Sequence, residues 1–190
     1  MRQNKIAELC ETALFTALVF LGVSIFKFPS AFGYSHLGDC MIFLAVLMLG
    51  GRRGALAGGV GAALADLIGG YAIWVLPTLI SKSVMALVMG AMIRNHIFGL
   101  KGRPLWALAA VSGGICQAAG YTAARIIFYG TAAGLASLPG LTFQTATGIV
   151  LAFVLSEALQ KTSLRSRFRY TTDRNNTASE AEACGQAAAR

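Results

Sequence analysis

Residues 41–70, MIFLAVLMLGGRRGALAGGVGAALADLIGG, decide the fold. Two apolar stretches flank the pair Arg52-Arg53, and neither stretch carries another charge until Asp66. Read as one continuous rod, the segment would put two guanidinium groups at the middle of a bilayer. Insertion scales set that at about 2.5–3.5 kcal/mol for each charge. The alternative is a tight hairpin, with two helices lying side by side in lipid and the arginines at the membrane edge.

Working outward from this hairpin, further apolar stretches fill most of residues 6–160. The spans expected are 6–26, 36–50, 54–70, 73–93, 104–129 and 141–160. Crossing a hydrocarbon layer of roughly 30 Å takes about 20 residues at 1.5 Å per residue. The first, fourth, fifth and sixth spans meet that length, and the second and third are short. Of the 190 residues, 56% are hydrophobic and 13% charged, whereas a soluble domain carries about 25% charge. The composition therefore predicts an all-α membrane protein of six transmembrane helices. The helical domain is expected over 1–165, followed by a disordered basic and polar tail over 166–190.

Charge placement gives the orientation. Arg2 and Lys5, Arg52 and Arg53, Arg94, Lys101 and Arg103, and Arg165, Arg167 and Arg169 all fall at one side, and the loops of the other side hold only Lys27. By the positive-inside rule both termini are cytoplasmic, in a multi-pass protein of the plasma membrane. The net charge of +8 lies in short loops and the tail rather than on one face of a folded domain, which argues against nucleic-acid binding. Cys10, Cys40, Cys116 and Cys184 lack CxxC spacing and read as unpaired residues, with no metal site.

Two features invite a partner or a ligand. Ala13 and Ala17 lie four residues apart on one face of the first span, and Gly54, Gly58 and Ala62 do the same on the third, so both present smooth surfaces for close helix approach. The intramembrane polar groups also gather in one half of the bilayer. With the termini inside, His36, Asp39, Asp66, Arg125 and Gln144 fall near the outer ends of their spans, Lys82 lies near mid-depth, and Tyr71, Trp74 and Tyr121 accompany them. Asp39 and Asp66 balance Lys82 and Arg125, which permits two internal ion pairs or a polar pocket ringed by aromatic side chains. Glu157 sits near the inner edge, within reach of water. No HExxH, GxSxG or P-loop occurs, so neither catalysis nor ATP hydrolysis is expected of this chain.

The run Tyr34-Ser-His-Leu-Gly-Asp39, Phe43-Leu-Ala, Leu49-Gly-Gly, Gly54 to Tyr71, Trp74 and Pro77-Thr-Leu-Ile-Ser-Lys82 resembles the substrate-binding S components of energy-coupling factor (ECF) transporters, in particular the riboflavin-type group. The motif-bearing part is 34–90, and size, span number and orientation extend the resemblance over 6–160. From about residue 104 onward it carries no family pattern beyond hydropathy. The resemblance implies capture of a vitamin or related micronutrient from outside, then docking to a membrane T subunit and two ATPase subunits that use the ATP, with no cofactor bound by this chain. It also implies that Ala13 and Ala17, matching the family's AxxxA pattern, contact the T subunit. The expected cargo is a compact aromatic ring such as pyridoxine, a thiamine precursor or a riboflavin-like compound, held by His36, Asp39, Asp66, Tyr71, Trp74, Lys82, Tyr121, Arg125 and Gln144. Two rival classes remain, a stand-alone secondary transporter and a non-transporting structural or assembly protein. Uptake without partner subunits distinguishes the first, and absence of any bound small molecule the second.

Overall fold

The structure, a computed structural model, describes residues 2–30 and 33–170. Its long elements are α1 (Arg2–Ser24), α2 (Gly38–Leu49), α3 (Gly51–Ile68), α4 (Val75–Arg94), α5 (Arg103–Tyr129) and α7 (Leu138–Gln160), with a short α6 (Thr131–Ala136) between the last two. Three segments, Lys5–Ser24, Ala72–Arg94 and Thr131–Gln160, are long and apolar enough to cross a membrane by length and composition. The chain is thus an overwhelmingly helical membrane protein.

The helix ends lie within a few residues of the expected spans, and three details differ besides the added α6. First, strands β1 (Lys27–Ser30) and β2 (Gly33–His36) form an antiparallel hairpin that pairs Lys27 with His36 and Ser30 with Gly33. Four-residue strands with Pro29 in one of them carry too little alternation to show in the sequence, and Pro is tolerated because the ribbon has only edges. Second, the expected second span, 36–50, contracts to the 12 residues of α2. At about 1.5 Å per residue it is far too short to cross a 30 Å layer alone. Ten of those residues are buried, so α2 is an internal strut rather than a lipid-facing rod. Third, Arg52 and Arg53 fall in the first turn of α3 rather than in a loop, because the reversal is made by Gly50 alone, at φ +87°.

Small residues let α3 approach three helices. A Cβ on Gly58 would sit 2.8 Å from Ile42 of α2, and one on Gly61 only 2.6 Å from the carbonyl oxygen of Thr16 on α1. On α4 the close approach is made where Gly51 meets Gly90, a Cβ on Gly51 coming 2.9 Å from the Gly90 Cα. The glycine-rich face of the third span therefore serves packing within the bundle. Around α2 the core is filled by Val19, Val23, Ile42, Phe43, Val46, Leu47, Met85 and Met89.

The helices alternate in direction, so the start of α1 and the end of α7 lie at one end of the bundle. Arg167 reaches Glu11 at 2.7 Å there, Arg53 lies 3.5 Å from Glu8, and Arg103 forks onto Glu157 at 2.9 and 2.7 Å. After α7 a 3₁₀ turn (Ser163–Arg167) leads to Arg169 and Tyr170, whose backbone N–H groups donate to the Leu47 carbonyl at 3.1 and 2.9 Å. Residues 171–190, most of the expected tail, lie outside the described residues. The hairpin, the 3₁₀ turn Ala72–Trp74 and α6 occupy the opposite end.

Candidate functional site

The site begins with a charge that lipid would not tolerate alone. Asp39 stands in the first turn of α2 and Lys82 two turns into α4, and neither side chain is exposed to any degree. They form an ion pair, Lys82 Nζ donating to Asp39 Oδ1. The pair is saturated by amides. Lys82 Nζ also donates to Gln117 Oε1 at 2.8 Å, while Gln117 Nε2 and Gln144 Nε2 donate to Asp39 Oδ2 at 2.9 and 3.0 Å. Gln117 Nε2 lies 3.1 Å from Thr145 Oγ1 as well. Five side chains from α2, α4, α5 and α7 thus form one network, and buried charges persist where every partner is supplied. The glycine at 148 makes room for it, since a Cβ there would fall 2.8 Å from the Asp39 Cβ.

Above this network, toward the hairpin end, lies a second group. Thr78 of α4 donates to Asp66 Oδ2 and accepts from the Tyr121 hydroxyl at 3.0 Å, and the Tyr121 ring passes 5.3 Å from Lys82 Nζ. Tyr121 therefore links the upper group to the ion pair. Trp74 then tops the stack, with ring centroids 6.1 Å from Tyr121, 5.6 Å from Phe128 and 6.1 Å from Tyr129. The Arg125 guanidinium lies 5.4 Å from the Trp74 ring centre, a cation–π arrangement. Arg125 is half-buried, and its Nε has no hydrogen-bond partner among the described residues. One turn away on α5, the buried hydroxyl of Thr122 is likewise without one among them.

Of the nine residues expected to bind ligand, the structure joins Asp39, Lys82 and Gln144 in the lower network. It gathers Asp66, Tyr121, Trp74 and Arg125 in the upper group. Two ion pairs were permitted by charge balance; Lys82 takes Asp39, while Arg125 faces an indole. His36 is buried beside the network, its Nδ1 accepting the Gly38 N–H at 3.2 Å, which fixes the entry into α2. Tyr71 is 41% exposed at the rim, where its N–H caps α3 by donating to the Asp66 carbonyl at 2.8 Å. Ala13 and Ala17 are both exposed on α1, whose opposite face buries Thr12, Phe15 and Val19.

Sequence reasoning missed Gln117, Thr145, Thr78 and Thr122. Gln117 had a readable signal, because 117, 121 and 125 recur at the helical spacing that puts them on one face of α5. The three threonines had none, since a hydroxyl in a helix can satisfy itself on the carbonyl one turn back. Among the described residues no group of three or more His, Cys, Asp or Glu side chains converges as a metal site, and Cys10, Cys40 and Cys116 are free thiols.

Comparison with known proteins finds similarity along most of the chain. A family model described as "ECF-type riboflavin transporter, S component" matches residues 3–161. The "Thiamine precursor transporter HmpT" of Lactococcus lactis subsp. cremoris (strain MG1363) is 31% identical over 172 residues, covering 89% of this chain and 97% of that protein. A Pyrococcus woesei protein described only as an "uncharacterized protein in gap 3'region" is 35% identical over 133 residues, 70% of this chain and 86% of the other.

Removing one member of the buried pair strands the other. Lys82→Met is expected to cost about 3–5 kcal/mol, and Lys82→Met/Asp39→Asn to recover at least half of it, because a neutral amide at position 39 leaves no stranded charge and keeps an acceptor oxygen for Gln117 and Gln144. Thermal unfolding in detergent checks both variants; equal stability of the single variant and wild type would show that the pair carries no structural weight.

Proposed function

The chain belongs to the family of ECF-type riboflavin transporter S components, and we propose that it captures a compact aromatic micronutrient, with a thiamine precursor, pyridoxine or a riboflavin-like compound as the candidates. The family consists of substrate-binding transporter subunits and not enzymes. The name of the Lactococcus relative favours the thiamine precursor among the three.

One observation carries the choice of site. At the hairpin end, a guanidinium Nε and the hydroxyl of Thr122 are buried without partners among the described residues, beside a four-ring aromatic cluster. Buried donors are normally satisfied, so an acceptor on an incoming ligand accounts for them. Trp74 and Tyr129 supply faces for a flat ring, and Arg125 and Thr122 supply directed bonds that set its orientation. In this reading Lys82 and Asp39 form the floor of the site and Tyr71 and His36 its rim.

Both termini are proposed to be cytoplasmic, in a bundle of six membrane-embedded helices. Arg52, Arg53, Arg94, Arg103, Arg167 and Arg169 crowd the end where α1 begins and α7 ends, as the positive-inside rule demands, and the aromatic cluster then opens outward. Release of cargo falls to partner subunits: a T subunit gripping α1 and two ATPases supplying the energy. Exposed Ile6, Leu9, Leu14 and Leu21 surround Ala13 and Ala17 on α1, which makes an apolar surface with a smooth centre for another helix.

Gently purified protein is expected to retain a ligand of a few hundred daltons in native mass spectrometry, and Arg125→Gln to weaken its binding at least tenfold, the loss of about 1.4 kcal/mol in a charge-assisted bond. Unchanged affinity in Arg125→Gln would remove the upper group from the site. For docking, Ala13→Trp/Ala17→Trp is expected to abolish co-purification with the T subunit and leave ligand affinity unaltered. Intact assembly would refute the α1 surface.

A further inference from the structure

The end of the bundle opposite the aromatic cluster holds a cleft of about 590 Å³, within the size range of small-molecule sites. Four guanidinium groups line it: Arg52 and Arg53 from the first turn of α3, Arg94 from the last turn of α4, and Arg169 from the segment beyond α7. Among the described residues, Glu8 is the one carboxylate in the lining. It lies 3.5 Å from Arg53, a pair whose side chains are 54% and 25% exposed, so four positive groups against one negative leave a formal excess of three. Arg94 makes a long 3.5 Å contact from Nε to the neighbouring Asn95.

The positive-inside rule accounts for arginines at this end, but not for their convergence from three separated parts of the chain into one concavity. Arg169 is brought there by the backbone bonds of residues 169 and 170 to Leu47, and it lies over Gly50, where a Cβ would come 2.8 Å from the Arg169 Cδ. The glycine that turns the chain between α2 and α3 thus also makes room for the fourth arginine. Guanidinium groups are suited to a phosphate because their planar forks donate in pairs.

The surroundings indicate where that phosphate comes from. Leu87 forms part of the cleft wall and is 44% exposed. It continues a stripe on α4 with Val84, Ile80 and Leu76, exposed by 40, 54 and 64%. Residues spaced by three and four share a helix face, so an apolar track runs along α4 and ends at the arginines. A ligand with a phosphate head and acyl tails fits both features at once.

We propose that this cleft binds a phosphate-bearing anion, supplied by the headgroup of an anionic phospholipid whose chains lie along the α4 track. The test is native mass spectrometry of the full chain with phosphatidylglycerol, with chain-matched phosphatidylcholine, and with inorganic phosphate alone. Wild type is expected to retain phosphatidylglycerol about 10- to 30-fold more tightly than phosphatidylcholine. Arg94→Gln/Arg169→Gln is expected to lose most of that preference with its melting temperature unchanged; if that variant fails to fold, Arg52→Gln, on an exposed first turn, is read instead and is expected to lose part of it. Equal retention of the two lipids, or an undiminished preference in the variants, overturns the site. Tight retention of inorganic phosphate without lipid keeps the anion chemistry but overturns the lipid as its source.

Discussion

The ion pair between Asp39 and Lys82 is the constraint from which the rest of the structure follows. A lysine and an aspartate with no exposure at all hold together in a membrane only if their remaining bonds are met. Meeting them draws Gln117 and Gln144 inward and ties four helices to one point. The short α2 can then be almost wholly internal, because its polar residue is matched and the rest of it is apolar. Glycine at 58, 61 and 148 brings the neighbouring backbones near enough for this to happen.

That floor makes the two ends of the bundle unlike. On one side of the pair come Tyr121, Thr78, Asp66 and the rings gathered around Trp74, where Arg125 Nε and the Thr122 hydroxyl have no hydrogen-bond partner among the described residues. On the other come the arginines and the contact of α1 with the segment beyond α7. The function proposed above, capture at one end and partner subunits at the other, calls for this polarity. The family model, a transporter S component, matches residues 3–161 and so spans both ends.

Much of the fold was legible from charge and length. Arg52-Arg53 could not lie within a bilayer, so the chain had to reverse near residue 50, and it does so at Gly50. Several helix limits followed for the same reason, as with α4 at Arg94 and α5 between Gly102 and Gly130. The hairpin over 27–36 was not legible, because strands of four residues have too little period to read. Nor was α6, six residues hidden in what looked like a connection. In the site, Lys82, Asp39 and Arg125 stood out as charges in lipid, but which acid met which base depended on helix rotation. Lys82 turned to Asp39, and Arg125 turned to Trp74. Composition and spacing do not encode that rotation, and the threonines that complete the network resemble any other helical threonine.

The proposed function requires an aromatic mouth that faces away from the cytoplasm. It is tested most directly by labelling intact cells with a membrane-impermeant thiol reagent, using Ile73→Cys and Leu164→Cys in a cysteine-free background. Both positions are exposed, at 55% and 43%, and they lie at opposite ends of the bundle. Labelling of residue 73 in intact cells, and of residue 164 only after permeabilisation, is the predicted result. The reverse pattern would contradict the account.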